Sequence, residues 1–256
     1  MLTIDLTNRV ALVIGGSRGI GAGIVETLCK AGSRVVFTYK DDPKYQPQLD
    51  ELLKRIRASG GSVKGVSADA CDSGQTAKVV RDIVAEHGKI EHLVCVVGQT
   101  LKQPAEDTTD EKWHRFIDVN LSSAFYAVRS VLPHMLKAGY GRIVLIGSSA
   151  VYDGGGGAID YAAAKAGLVG MMAHLTRTYT SKGILANVIH PCVIDTDLLR
   201  ERYGDAASKR KLIEQVPVGR LGTPEDIANL SAYLLSSFGD FICNQAILVD
   251  GGRTLF

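Results

Sequence analysis

Short apolar runs rich in Val and Ile recur along the chain, at 10–14, 34–39, 62–66, 92–97, 142–147, 185–190 and 246–249. They lack clean polar alternation, the pattern of strands buried on both faces. Between them, stretches of helical period cover 20–31, 46–58, 74–87, 110–138, 160–181, 197–215 and 224–236. Strand–helix alternation of this kind predicts an α/β fold, a doubly wound parallel sheet of about seven strands with helices on both faces. Turn signals fall at the junctions. Gly32, Gly60, Gly61 and Gly88 suit helix ends that need φ > 0. Thr223-Pro224-Glu225-Asp226 reads as an N-cap, a proline at the first helical position and first-turn acids. No linker, repeat or composition shift divides residues 1–256, so a single domain is expected.

Composition sharpens this picture. The 256 residues are 46% hydrophobic and 22% charged, an ordinary globular balance. Glycine stands out at 28 residues, about 11% against a usual ~7%. With no G-X-Y period and only 7 prolines, neither a collagen nor a low-complexity chain explains the excess. Lys+Arg total 29 and Asp+Glu 27, with no basic face, so no nucleic-acid partner is expected. Cys29, Cys71, Cys95, Cys192 and Cys243 are scattered, with no CxxC pair. That argues against a disulfide framework and for a reducing, cytoplasmic setting. His134, His174 and His190 are not spaced as a metal cluster, so no metal is expected and packing or surface roles are assigned to them. The first residues, MLTIDLTNR, carry no apolar signal region, and no run approaches the ~18 residues of a membrane span.

The first strand leads into Gly15-Gly16-Ser17-Arg18-Gly19-Ile20-Gly21, and a helix follows. A bound pyrophosphate needs this layout. Backbone must approach it closely, and the first helical amides face its charge. No P-loop lysine is present, which disfavours nucleoside triphosphate hydrolysis. The loop therefore predicts a Rossmann-type dinucleotide site. Its second strand ends at Tyr39 and Lys40, where a carboxylate would select NAD. Lys40, with Arg18 in the loop, favours NADP(H). Asp41 and Asp42 follow at once and keep NAD(H) open.

Tyr161 and Lys165 are spaced i,i+4, so they share one helix face. An ammonium there favours phenolate and suits the tyrosine for proton transfer. Ser148 ends the fifth strand, at the carboxyl edge where open α/β sheets bind ligands. Glycines 154–157 allow the chain to turn back from Ser148 to Tyr161. Asn120 sits inside a helical stretch, an unfavourable place by propensity, and is a candidate to hold a water or the lysine.

With these residues in place, the sequence resembles the short-chain dehydrogenase/reductase family nearly end to end. Gly15, Gly19 and Gly21 match its glycine loop, and Asp69, followed by Ala70, its adenine-contacting acid. Asn120, Ser148, Tyr161 and Lys165 match its catalytic tetrad, and Pro191 and Thr196 its nicotinamide segment. The stretch from Val216 to Ala228 and Leu248–Gly252 is similar to the 3-oxoacyl-acyl-carrier-protein reductase branch. The resemblance implies hydride transfer between NADP(H) and a carbonyl carbon. Tyr161 would be acid or base, Lys165 would tune it and hold the ribose, and Ser148 would hold the substrate oxygen. Gly98, Val193 and Ile194 join the implied cofactor contacts. Ala150, Tyr152, Leu198, Leu199 and Tyr203 form the implied substrate pocket, beneath a lid near 195–216. The implied substrate is a 3-oxoacyl thioester or similar ketone, and Arg177 matches a basic helix position linked to carrier-protein docking in that branch. A sugar, polyol, steroid or quinone dehydrogenase is the alternative, and a non-catalytic NADP-binding regulator is one of another class. A homotetramer is implied, built on 110–138, 160–181 and the last strand.

The sequence also departs from that pattern. Cys95-Val96-Val97-Gly98 replaces the family's Asn-Asn-Ala-Gly, so bracing of the sheet must come from apolar packing or other groups. Ile14 stands where a threonine is usual, and Cys192 follows Pro191 where glycine is usual. Cys192 is expected to be a small buried apolar residue.

Overall fold

The structure is a computed structural model that describes residues 3–155 and 157–254. Gly156, within the glycine run, and the side chain of Leu198 lie outside the described residues. Seven strands form one parallel sheet in the order β3-β2-β1-β4-β5-β6-β7. They are β1 (Val10–Ile14), β2 (Arg34–Tyr39), β3 (Val63–Ser67), β4 (His92–Cys95), β5 (Gly141–Ile146), β6 (Ile184–Pro191) and β7 (Ala246–Val249). The chain reverses direction across the sheet between β1 and β4, which pair through Leu12 with Leu93 and Ile14 with Cys95. Ligand clefts open outside the strand carboxyl ends at such a point.

Successive strand side chains serve opposite faces, so each strand feeds two cores. Leu12, Ile14, Leu93, Cys95 and Leu145 pack on one side against α3 (Ser73–His87), α5 (Ser123–Ala138) and α7 (Ile159–Tyr179). Ala11, Val13, Phe37, Val94, Val144 and Ile189 pack on the other against α1 (Gly19–Lys30), α2 (Gln46–Ala58) and α10 (Pro224–Leu235). Two-sided burial is why the strands read as continuous apolar runs.

Three expected elements differ. The strand at 92–97 ends at Cys95, and the next residues turn toward the cleft. The helix expected over 110–138 is interrupted. α4 (Asp110–Ile117) passes into a π-helical turn, Asp118–Ser122, before α5 begins. The helix expected over 197–215 is two pieces, α8 (Asp197–Arg202) and α9 (Ala206–Glu214), parted at Gly204. A further short helix, α6 (Ala150–Asp153), follows β5. Among the described residues, no helix is long and apolar enough to cross a membrane.

The amino end of α10 is fixed as its sequence predicts. The hydroxyl of Thr223 accepts the Asp226 N–H at 3.4 Å, and the Asp226 carboxylate accepts the Thr223 N–H at 2.7 Å. Arg220 donates to both oxygens of that carboxylate, at 2.6 and 2.9 Å. The guanidinium above all holds the Asp226 carboxyl down to about 2. A pKa lowered on folding stabilises above the ordinary carboxylate value and ceases to do so as pH falls through the folded one. Asp226→Ala should therefore cost about 1 kcal/mol from the capping box, a loss of some 2–4 °C in Tm for a chain of this size. Thermal melts compared between pH 7 and pH 3 should show the gap from wild type narrowing in acid. A gap that widens there would contradict this account.

Candidate active site

One cleft of about 920 Å³ runs along the carboxyl ends of the strands. Its first wall is the turn after β1. Gly15 takes φ +89, and a Cβ there would come 2.7 Å from the Val97 side chain. A Cβ on Gly21 would overlap the Gly15 carbonyl oxygen, so the loop lies flat on itself. No side chain caps the start of α1, which leaves that helix end facing the cleft between Ser17, Arg18, Gly19 and Ile20. This cradle suits a pyrophosphate.

Tyr39 and Lys40 line the same wall. Lys40 donates to the Asp69 carboxylate at 2.6 Å, which raises the lysine pKa and lowers that of the acid. Asp69 also accepts the Cys71 N–H at 2.9 Å, so it stands beside the cleft rather than lining it. Ala70 packs partly buried against the core and does not line the cleft either. The Arg18 guanidinium lies 3.9 Å over the Tyr45 ring. Asp41 accepts from the Ser67 hydroxyl at 2.5 Å, and Asp42 caps the turn at 43–45 by taking the Lys44 N–H. Both aspartates flank the strand end, each with a partner of its own.

The tetrad residues converge deeper in. Lys165 on α7 is buried, and its ammonium donates to the carbonyls of Ile146 at 2.9 Å and Val97 at 3.3 Å. Burial pulls its pKa down to about 8. Its Nζ lies 5.9 Å from the centroid of the Tyr161 ring, one turn away. Asn120 occupies the π-helical turn. Its amide donates to the carbonyls of Phe116 and Gln99, at 2.9 and 2.8 Å, and its Oδ1 accepts the Gln99 N–H at 3.0 Å. Gly98 separates these groups. A Cβ there would stand 3.2 Å from both Asn120 Oδ1 and Lys165 Nζ and would press on both.

Ser148 follows β5. Its Oγ accepts the Ala150 N–H at 3.2 Å. Its backbone N–H lies 3.0 Å from Nδ1 of His190, a ring that is fully buried. The Ser148 carbonyl also lies 2.9 Å from Nδ1, but it already accepts the Val151 N–H at 3.2 Å. With the ring proton on Nε2, Nδ1 accepts the Ser148 N–H; with it on Nδ1, the ring donates to the Ser148 carbonyl, so either tautomer ties His190 to the Ser148 backbone. Burial lowers the His190 pKa, which keeps the ring neutral. Nε2 has no partner among the described residues. Sequence reasoning assigned His190 to packing and missed this contact, which joins residues 42 apart.

The far end is walled by the segment after β6. The Pro191 carbonyl accepts the Ser149 N–H at 2.9 Å, and Val193 and Ile194 pair with Gly222. Thr196 caps α8 through the Leu199 N–H, and Leu199 and Tyr203 line the cleft. Ala150 and Tyr152, expected in the pocket, do not line it. Ala150 is buried, and Tyr152 is 42% exposed with its ring edge-on to His190. Cys192 is only half-buried and lines the cleft, so the expectation of a buried apolar residue is corrected. Its Sγ accepts from Arg253 at 3.1 Å. In the glycine run, Gly154 takes φ +64 after α6, and a Cβ on Gly157 would press on Thr100 and Tyr161.

A family profile described as enoyl-(acyl carrier protein) reductase matches residues 14–254. The 3-oxoacyl-[acyl-carrier-protein] reductase FabG of Escherichia coli is 37% identical, over 97% of this chain and 98% of its own. The protein of the same name from Chlamydia pneumoniae is 31% identical, over 99% of this chain and 100% of its own. Among solved structures, a putative NAD(P)-dependent gluconate 5-dehydrogenase from Beutenbergia cavernae with bound NADP superposes with a TM-score of 0.90. It is 30% identical and covers 98% of this chain and 99% of its own. A short-chain dehydrogenase/reductase from Serratia marcescens superposes with a TM-score of 0.89, at 30% identity, over 99% and 100% of the two chains. Fold, sequence and cleft agree that this chain belongs to the short-chain dehydrogenase/reductase family and is an NAD(P)-dependent short-chain oxidoreductase.

Proposed function

We propose that the protein reduces a ketone, a 3-oxoacyl thioester or a similar compound, to the secondary alcohol with NADPH. The observation that carries this reading is the meeting of Asn120 and Lys165 at Gly98, with the Tyr161 ring 5.9 Å from the Lys165 ammonium, in the cleft that Ser148 also lines. The cofactor supplies or accepts a hydride at its nicotinamide. The glycine loop and the open end of α1 would hold its pyrophosphate, and Arg18 and Lys40, which line the same wall, would hold a 2′-phosphate and so favour NADP(H) over NAD(H). Gly98, Pro191, Val193, Ile194 and Thr196, which line the cleft beyond it, would hold the nicotinamide half. The relatives named 3-oxoacyl reductase and the NADP-bound structure support this choice.

In reduction, Tyr161 donates a proton to the carbonyl oxygen as it gains negative charge. The Lys165 ammonium favours the phenolate left behind, and Asn120 holds the chain so that a water can return the proton. Ser148, its Oγ already receiving the Ala150 N–H, directs its own proton at the substrate oxygen. α8 and α9, within 195–216, act as the lid over the substrate. The exposed Arg177 in the last turn of α7 suits docking of a carrier protein. Free, scattered thiols support a cytoplasmic setting.

Phe125 on α5, Ile159 on α7 and Phe241 near β7 are exposed apolar residues on the elements expected to associate. They support a homotetramer, and light scattering should give roughly 110 kDa, four times the 27.4 kDa chain. A monomer mass would refute it. Tyr161→Phe should lower ketone reduction by a factor on the order of 10³ or more while NADPH binds as before. Surviving turnover would remove the tyrosine from the mechanism, and wild-type protein that binds NADPH but turns over no ketone or alcohol would favour a regulator. His190→Leu removes the ring's hydrogen bond to the Ser148 backbone and should lower kcat with little change in cofactor affinity. His190→Asn, whose Oδ1 falls near the place of Nδ1, should restore part of that loss. Equal kcat in the two variants would show that His190 merely fills space.

A further inference from the structure

The geometry points to a carboxylate on the substrate, held by Arg253. This rests on the reductase reading and narrows its substrate to a keto acid, or in the reverse direction a hydroxy acid. Arg253 is placed rigidly. The chain turns after β7, where Asp250 accepts the N–H groups of Gly252 at 2.9 Å and Thr254 at 2.7 Å. Gly251 in turn accepts the Val218 N–H at 3.2 Å. This turn brings the guanidinium into the cleft that also holds Ser148 and Tyr161.

Its neighbours place it at the substrate end. Nη1 donates to Cys192 Sγ at 3.1 Å, one residue beyond Pro191, and Nη2 to the Gln215 side chain at 3.0 Å, just past α9. Nη1 also lies 3.6 Å from the Asp153 carboxylate, at the end of the single turn that begins two residues after Ser148.

The state of this guanidinium is unlike that of the arginines serving the fold. Arg9, Arg55, Arg142, Arg200 and Arg220 each donate to a carboxylate, at 2.5 to 2.9 Å. Arg253 donates to a thiol and an amide, and its nearest carboxylate is beyond hydrogen-bond distance. Asp153 is partly engaged elsewhere, accepting the Gly155 N–H at 2.8 Å. Planar guanidinium pairs best with a carboxylate in two parallel bonds, and a ligand carboxylate at that spot gains what Asp153 does not provide. A thioester offers only a neutral carbonyl oxygen, a weaker acceptor. A carboxylate anchored there also fixes which face of the ketone meets the nicotinamide.

Enzyme saturated with NADP⁺ binds a ketone without turning it over, so affinity can be read alone. Calorimetric titration with 3-oxobutanoate and with its methyl ester should show the acid binding at least tenfold tighter. Arg253→Gln should bring the ratio to within twofold, Arg253→Lys should keep part of it, and Asp153→Asn should increase it. An acid that binds no tighter than the ester, or a preference that survives in Arg253→Gln, overturns the proposal. Oxidation of NADPH with the methyl ester reports on the reductase reading separately. Turnover of the ester without acid preference leaves that reading and removes Arg253. Acid preference without turnover of either ketone leaves the carboxylate site and removes the reductase.

Discussion

A charged amine buried under the carboxyl ends of two strands is the constraint around which the catalytic half is arranged. Moving the pKa of Lys165 from 10.5 to about 8 corresponds to roughly 3 kcal/mol against the charged form. That cost stays bearable because two main-chain carbonyls, of Val97 and Ile146, accept from the ammonium. Both carbonyls are available only because β4 stops at Cys95 and β5 at Ile146. The helix that delivers the lysine is anchored below by Leu168, Met172 and Leu175, all within one core cluster. The amine, the strand ends and the core under α7 are therefore one unit. A neighbour with any side chain in place of Gly98 would crowd it.

The architecture was legible because burial on both sheet faces leaves a simple mark, the uninterrupted apolar run. That Ser148, Tyr161 and Lys165 would line one cleft was legible because they sit at a strand's carboxyl end and i,i+4 along one helix. Elements whose limits depend on distant partners were not legible. Val96 and Val97 are as apolar as the strand before them, yet Val97 leaves the ladder to serve a lysine 68 residues on. The π-helical turn at 118–122 hides inside an unbroken helical period, since one extra residue in one turn barely shifts the apolar stripe. Its signal was Asn120 itself, a poor helix former whose side chain pairs with the backbone of Gln99. Gly204 between α8 and α9 was a visible breaker that the long charged stretch obscured. His190 and Arg253 gave no local sign, because their partners lie 42 and 61 residues away.

The departures at Cys95, Val96 and Val97 acquire a physical meaning in this frame. Where polar residues would brace the sheet by hydrogen bonds, Val97 packs its side chain directly on Gly15. Cys95 is buried against Ile14, and burial pushes its thiol up to about 12, so it behaves as an apolar filler. The phosphate loop and the catalytic strand end therefore touch through van der Waals contact, while Asn120 and Gln99 supply the polar brace one step further on.

The cleft ends present cations whose partners are of different quality. Lys40 is held by Asp69 in an exposed pair, Arg18 rests on an aromatic ring, and Lys44 reaches Glu201 from the other side of the cleft mouth. Exposed pairs of this kind contribute little, so an anion entering there would displace them at small cost. Arg253 at the opposite end donates to a thiol and an amide and meets the Asp153 carboxylate only at 3.6 Å. Between the two ends stands Lys165, whose carbonyl partners are fixed backbone and do not exchange. Charges at the periphery thus sit on side chains that rearrange easily. The reacting centre keeps its geometry because its charge is compensated by main chain alone.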